Sequence, residues 1–299
     1  MDNADLNSLK RVDETHPLDL YIGIDNLSRQ TLFLISDTEP GVMTSSQIMS
    51  VSMGERKDSR WGISFTLLDN KYNDIFNCFC NDIIESSRSI KDIRLGSVFI
   101  ANRYNNWQQM LSKSRGELLS INSIKGLIGE ILFLKEYLIP LYGQDLAVNS
   151  WIGPDRADQD FVCENIWYEV KATDSGSESV SIASIEQLDI PTDGELAIVY
   201  LDKTSETDGT KITLNRIYQE VRDSLISEDS KNRLSEILLN FGYYIRKEYD
   251  EPAYKLSKIN RYKVDKDFPS MRRQNIPNAI VNSKYQLSVS YIGKWLIEK

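Results

Sequence analysis

The sequence predicts an α/β (α+β) protein with a β-rich N-terminal region. Three observations carry that prediction. Short runs rich in β-branched and aromatic residues dominate the first 70 positions. The clearest helical periodicity falls between 121 and 138. Beyond it the pattern runs strands, helix, strand, which is the alternation of an α/β layer structure.

The elements follow in order. YIGID, TLFLIS and WGISFTLLD, between 21 and 69, are strand-like runs separated by EPG and by the polar MGERKDSR. A helix is expected at about 72–87, where Ile75, Phe76, Phe79, Ile83 and Ile84 share one face, and another near 98–113. SKSRGELLS reads as a junction. It sets an expected boundary near 115, with a β-rich region suited to partner or DNA binding at 1–115 and a second domain at 116–299. Within 121–138, Ile124, Leu127, Ile128, Ile131, Leu134 and Leu138 recur at three- and four-residue spacing, and Pro140 is expected to end the helix. Gly126 and Gly129 would each weaken an isolated helix by ~1 kcal/mol, which points to a close approach by another backbone or by a site. Strands are expected at 180–184 and 195–201, helices near 213–226 and 231–241, and strands again in YKLSKINRYKV and SKYQLSVSYI.

Composition removes several functions. The chain has three cysteines and one histidine, His16, too few and too scattered for a structural zinc site. A Ser-His-Asp or Cys-His enzyme would have to use His16, in a polar stretch ahead of any clear element. Neither GxxxxGK[ST] nor GxGxxG is present. No apolar run is long enough to cross a membrane, and the polar, acidic start does not read as a signal peptide, so a cytoplasmic protein with reduced thiols is expected. The net charge is −9, yet residues 241–299 hold 12 Lys and Arg against 6 Asp and Glu. That asymmetry fits either differently solvated surfaces or a basic surface for a polyanion.

Chemistry gathers at DFVCENIWYEVKAT. Strand-like runs flank Glu164-Asn165, and an Asn there tolerates the positive φ of a tight hairpin. A two-residue loop pairs Cys163 with Ile166, Val162 with Trp167, Phe161 with Tyr168, and Asp160 with Glu169. Opposed Cβ atoms lie about 5 Å apart. Alternation then puts Asp160, Glu169 and Lys171 on one face, with Phe161, Cys163, Ile166, Tyr168, Val170 and Ala172 on a core face. Two carboxylates so close call for a cation, and Mg²⁺ or Mn²⁺ is the natural one. Lys171 beside it could hold or deprotonate a water, or stabilise a phosphorane-like transition state. The competing reading is a cross-strand salt bridge on a solvated face. The [DE]xK pattern alone is not specific, since it recurs at Glu55/Lys57, Asp69/Lys71 and Asp229/Lys231, all in or beside apparent turns.

The run GPDRADQDFVCENIWYEVKAT resembles the signature of the PD-(D/E)XK phosphodiesterase superfamily, whose restriction-endonuclease-like core is a mixed central sheet flanked by helices. GLIGEILFL resembles that superfamily's first core helix, which often supplies an acidic residue, and Glu130 matches it. SIEQL resembles its strand-then-Gln element, with Gln187 in the Gln position. The N-terminal strands and the tail DFPSM…KYQLSVS are similar to a bacterial family of PD-(D/E)XK-type proteins found among restriction and anti-phage gene clusters. The resemblance implies a nuclease-like domain at 116–299 with a basic C-terminal part. It implies Asp160, Glu169, Lys171 and Gln187 as catalytic residues, and Glu130, Asp160 and Glu169 as ligands for Mg²⁺ or Mn²⁺. The literal Pro154-Asp155 competes with Asp160 for the metal aspartate. Hairpin geometry prefers Asp160, because Asp155 would pair beyond the strand end, and Asp158 is a spare. Glu130 could instead be a surface glutamate and Gln187 a local hydrogen-bonding residue. Trp167, on the catalytic face by parity, is either a base or sugar contact or packing.

Three functions follow. The first is a metal-dependent DNA endonuclease of bacterial defence. The second is a catalytically silent DNA-binding or assembly subunit of the same fold, and the third a structure-specific repair nuclease. The implied partners are DNA, defence proteins such as an ATPase or methyltransferase, and a second copy in a homodimer, with no membrane. In the tail, Arg246, Lys247, Lys255, Lys258, Arg261, Lys263, Arg272 and Arg273 alternate with Tyr243, Tyr244, Tyr249, Tyr254 and Tyr262. That pattern suits either phosphate contact with base stacking or ordinary strands with tyrosine in the core.

Overall fold

The computed structural model describes residues 9–114, 117–153, 158–205 and 209–297. The chain is a mixed α/β protein that divides into two compact units, 1–118 and 119–299. No helix among the described residues is long and apolar enough to cross a membrane.

The first unit is β-rich. Strands β1 (Leu9–Arg11), β2 (Asp19–Ile24), β3 (Gln30–Ser36), β4 (Met49–Glu55) and β5 (Trp61–Leu67) form an antiparallel sheet in the order β1-β2-β3-β5-β4. Helices α1 (Asn73–Ser87) and α2 (Gly96–Ser114) follow. Phe65 meets Phe79 edge-on at 5.4 Å, and Phe79 meets Trp107 at 5.8 Å, which ties sheet to helices. Two strands escape the sequence reading. β1 is too short to show a period. β4 runs on into MGE, which reads as polar turn; the actual turn is Arg56–Arg60, with Ser59 at φ 62°. His16 is buried, with Nδ1 facing the Leu18 backbone and Nε2 3.0 Å from the Ile84 carbonyl oxygen. It fastens a loop to α1, and the hydroxyl near it, that of Ser87 at 3.4 Å from Nε2, is itself buried and donates to the Ile83 carbonyl, so the ring reads as a structural clamp.

The second unit opens with α3 (Ile121–Phe133), capped by Ser120, whose hydroxyl accepts the Ser123 N–H at 3.1 Å. The helix does not stop before Pro140. It widens into a π-helical turn, Leu134–Leu138, and continues as α4 (Ile139–Tyr142). The Ile139 N–H reaches back five residues to Leu134, and this wider turn relieves the clash a proline ring makes with the preceding turn. Gly143, at φ 82°, ends the path.

Next come α5 (Gln144–Asn149), β6 (Phe161–Cys163), β7 (Ile166–Thr173), β8 (Ser179–Ile182), β9 (Gly194–Lys203), α6 (Leu214–Ser224), α7 (Glu228–Asn240), β10 (Tyr254–Val264) and β11 (Tyr285–Ser288). The central sheet has the order β10-β9-β7-β6. Strands β7 and β9 are parallel and the other pairs antiparallel, so it is the mixed sheet flanked by helices that the resemblance implied. β8 and β11 form a separate antiparallel pair.

Both faces of the central sheet are covered. Tyr168, Val170, Ala197, Val199 and Leu201 pack with the apolar stripe of α3 and with α6 and α7. Trp167, Leu196, Ile198 and Tyr200 pack with Val180, Ile182 and Leu287 of the small sheet. The face carrying Glu169 and Lys171 is therefore not a solvated hairpin surface. Gly129 explains how α3 comes so close: a Cβ there would lie 2.8 Å from the Ala172 Cβ. Gly126 has open space around it, so only one of the two glycines serves the packing.

Candidate active site

The hairpin forms with the expected register at Cys163–Ile166, Val162–Trp167 and Phe161–Tyr168, but the ladder ends there and the expected Asp160–Glu169 pair does not form. The left-handed residue of its loop is Glu164, at φ 52°, and not Asn165. β6 is only three residues long, so it does not reach the Val170 N–H of β7. Asp160, just before β6, supplies the missing acceptor. Its own N–H donates to the Tyr168 carbonyl at 3.2 Å, and its Oδ2 accepts the Val170 N–H at 2.7 Å. Gly153 leaves room for this carboxylate, since a Cβ there would stand 3.3 Å from Oδ1.

Glu169 is 1% exposed. Its Oε1 lies 2.5 Å from the Lys171 ammonium and accepts the Gln187 side-chain N–H at 2.7 Å. The Gln187 carbonyl oxygen accepts from Lys171 at 3.2 Å and from the Ala183 N–H at 2.7 Å. Gln187, named from resemblance alone, thus bridges both hairpin residues. Glu130 is not a free surface glutamate. It is half-buried on α3, and its Oε2 accepts the Trp151 indole N–H at 2.9 Å. Trp151 is itself fixed by stacking on Phe161 at 5.2 Å.

The electrostatics tie the four charges together. Removal from water pushes the Glu130 carboxyl well above its ordinary value, and the charge of Asp160 pushes it further. Glu169 is raised well above its ordinary value by the same two causes in the same order, with Lys171 opposing. Asp160 is raised by burial, against the pull of Lys171 and the Val170 N–H. Burial lowers the proton affinity of Lys171, but the charges of Glu169 and Asp160 outweigh it and hold the ammonium above its ordinary value. Lys171 is a fixed cation here, better suited to stabilising negative charge than to removing a proton.

The donor set fits a hard divalent cation. It is all carboxylate oxygen, and one oxygen of Asp160, Glu130 and Glu169 is aimed by an internal donor. The remaining Glu169 oxygen, Oε2, is buried without a hydrogen-bond partner. An orphaned carboxylate oxygen among like charges is costly, and a cation would satisfy it. Among the described residues no three His, Cys, Asp or Glu side chains are already drawn together at ligating distance. As they stand, Asp160, Glu130 and Glu169 each turn an oxygen toward a protein donor.

Other expected residues fall elsewhere. Asp155 lies outside the described residues, and Asp158 is exposed. Trp167 is packing: it is 3% exposed, its indole N–H donates to the Thr192 carbonyl at 2.9 Å, and only a glycine at 194 leaves room for its ring. Asp69 and Lys71 form an exposed pair at 2.9 Å. Asp229 stands in the first turn of α7, not in a loop, and Lys231 pairs with Glu228. In the tail, Tyr243, Tyr244, Tyr249, Tyr254 and Tyr262 are buried and cannot stack on bases. Arg246, Arg261, Lys263, Arg272 and Arg273 already face carboxylates. The alternation of charge and tyrosine in β10 is the ordinary two-sidedness of a strand. Sequence reading also missed Trp151 and Gly153, whose signal was present only as SWIGPD ahead of the hairpin.

Residues 3–290 match the family model described as "Putative PD-(D/E)XK family member, (DUF4420)". Neither a curated protein nor a solved structure matches the chain. With the match spanning almost every residue, and a mixed sheet placing Asp160 ahead of Glu169 and Lys171, the chain belongs to the DUF4420 family of PD-(D/E)XK-type proteins.

Proposed function

We propose that this chain is a divalent-metal-dependent endonuclease that hydrolyses phosphodiester bonds in DNA. The observation that carries the reading is the buried Glu169 carboxylate, with one oxygen orphaned and the other shared by Lys171 and Gln187. A structural ion pair would satisfy both oxygens; a metal site keeps one in reserve. Asp160, Glu169 and Glu130 would hold Mg²⁺ or Mn²⁺, which supplies charge opposite the phosphate and lowers the pKa of water. Lys171 offers its ammonium to the charge that builds on the phosphate oxygens as a water oxygen bonds to phosphorus and the leaving ester oxygen departs. Gln187 keeps Lys171 and Glu169 in register. The family resemblance supports DNA as the polyanion and bacterial defence as the setting, with an ATPase or methyltransferase as the type of partner.

A second reading has its own observation. No ligand-ready carboxylate cluster exists among the described residues, which suits a catalytically silent DNA-binding or assembly subunit. One experiment separates the two. Purified protein is incubated with supercoiled, linear and branched DNA, with Mg²⁺, Mn²⁺ or EDTA, beside Asp160→Ala and Lys171→Ala. Metal-dependent cleavage lost in both variants supports the nuclease. DNA retention without cleavage supports the silent subunit, and cleavage confined to branched DNA a repair enzyme. Equal cleavage by wild type and variants would overturn the assignment of these residues.

A further inference from the structure

The segment carrying Gln187 is held from outside the hairpin. Glu186 and Asp189 flank Gln187 at one residue before and two after. Both are gripped by a pair of arginines far along the chain. The Arg273 guanidinium pairs with the Glu186 carboxylate, and its backbone N–H donates to Asp189 Oδ2 at 2.7 Å. Arg272 faces Asp189 Oδ1 at 3.5 Å and donates to the Asp265 carbonyl at 2.7 Å. Arg273 is anchored in turn by the carbonyls of Ile280 at 2.8 Å and Val281 at 3.1 Å. From the hairpin side, Gln159 donates to the Glu186 carbonyl at 3.0 Å. No regular strand or helix holds residues 183–193; the buried side chains of Ile185 and Leu188 seat the segment in the core, and these polar contacts fix its outer edge beside Gln187.

We infer that Arg273 is a positioning residue for the active site: by holding Glu186 it fixes Gln187, and through Gln187 the Lys171–Glu169 pair. This deepens the nuclease reading and rests on it for its functional consequence, though not for its structural one. The tail arginine pair thereby acquires a role other than phosphate contact. Gln187 has one hydrogen bond whose partner reports its position directly, the Ala183 backbone N–H at 2.7 Å. Ala183 is exposed, so that amide exchanges rapidly with solvent once Gln187 moves away.

The test combines amide exchange at Ala183, followed by NMR on the full chain, with DNA cleavage at saturating DNA and Mg²⁺. Arg273→Gln, Glu186→Gln and Gln187→Ala are compared with wild type, together with Arg273→Gln in the Gln187→Ala background. Arg273→Gln and Glu186→Gln are expected to speed Ala183 exchange about tenfold or more, as Gln187→Ala does, without lowering the thermal midpoint to match. Arg273→Gln is expected to lower kcat in the wild-type background and to change nothing further once Gln187 is gone. Should Arg273→Gln misfold, Glu186→Gln reads the same contact from its other end. Unchanged Ala183 exchange in both variants would overturn the proposal, whether or not the protein cleaves DNA. An equal loss of cleavage in both backgrounds would also overturn it and would mark Arg273 as a direct substrate contact. A wild type that never cleaves, with Ala183 responding as expected, removes the nuclease reading and leaves the positioning role in place.

Discussion

Gly129 of α3 lies against Ala172 of β7 so closely that a Cβ at 129 would stand 2.8 Å from the Ala172 Cβ. The contact seats the helix on the strand and brings Glu130, the next residue, into the electrostatic reach of Asp160 and Glu169. Gly129→Ala is therefore expected to destabilise the protein by about 1–3 kcal/mol through overpacking, less up to ~1 kcal/mol from better helix propensity. Gly126→Ala, with nothing within 4 Å, is expected to stabilise by up to ~1 kcal/mol. Urea unfolding of the two variants checks the contrast, and equal effects would contradict the packing described.

The carboxylates should make the metal-free protein less stable as pH rises. Glu130 is raised well above its ordinary value by burial and by Asp160. Below the unfolded value, both folded and unfolded states hold the proton and the group adds no pH dependence. Above it, the unfolded chain releases the proton while the fold keeps it, so stability falls until the folded group also ionises. Glu130→Gln keeps an acceptor for Trp151 and removes this loss. In EDTA the variant is expected to unfold later than wild type at pH 8, with a smaller gap at pH 4.5. A gap that does not depend on pH would show that Glu130 is not raised.

A divalent cation should reverse that loss. A ligand that binds only the fold stabilises it by about 2.7 kcal/mol at a hundredfold excess over Kd. Mn²⁺ or Ca²⁺ is expected to raise the thermal midpoint of wild type at pH 8 and EDTA to return it. Asp160→Ala and Glu169→Ala are expected to lose most of the shift. A shift of the same size in both variants would place the ion elsewhere.

Lys171 is assigned to charge stabilisation, not to metal binding. Lys171→Met should therefore lower cleavage by about 10²–10³-fold, the range for removing one preorganised donor to developing negative charge. The Mn²⁺-induced thermal shift should persist, because the substitution removes no carboxylate. Loss of the shift together with cleavage would assign Lys171 a structural part in forming the site.

How far the residues could be read in advance depends on the range of the forces involved. The hairpin was legible because strand alternation and a two-residue loop are local, and they fix which side chains share a face. The α3 stripe was legible for the same reason, as was the class of fold. Pattern reading failed where polar residues or a proline sit inside a regular element, and where a long-range pairing decides which side of a strand is core. β4 ends in a polar stretch yet pairs with β5, and a π-helical turn carries the helix past Pro140. The tail tyrosines, ambiguous by pattern, are core because β10 borders β9.

The sequence by itself determined the hairpin register and that Glu169 and Lys171 share a face of β7, since parity along one strand requires nothing from the rest of the chain. Only the tertiary structure decided that Glu169 is buried, that Asp160 and Glu130 come within its electrostatic reach, that Gln187 bridges Glu169 and Lys171, and that Arg273 pairs with Glu186 from 87 positions away. Burial strengthens the contacts of Glu169 by excluding water, while the Arg273–Glu186 pair stays part-exposed. Such burial is a property of layers packed on both faces of a sheet, which no stretch of sequence carries alone.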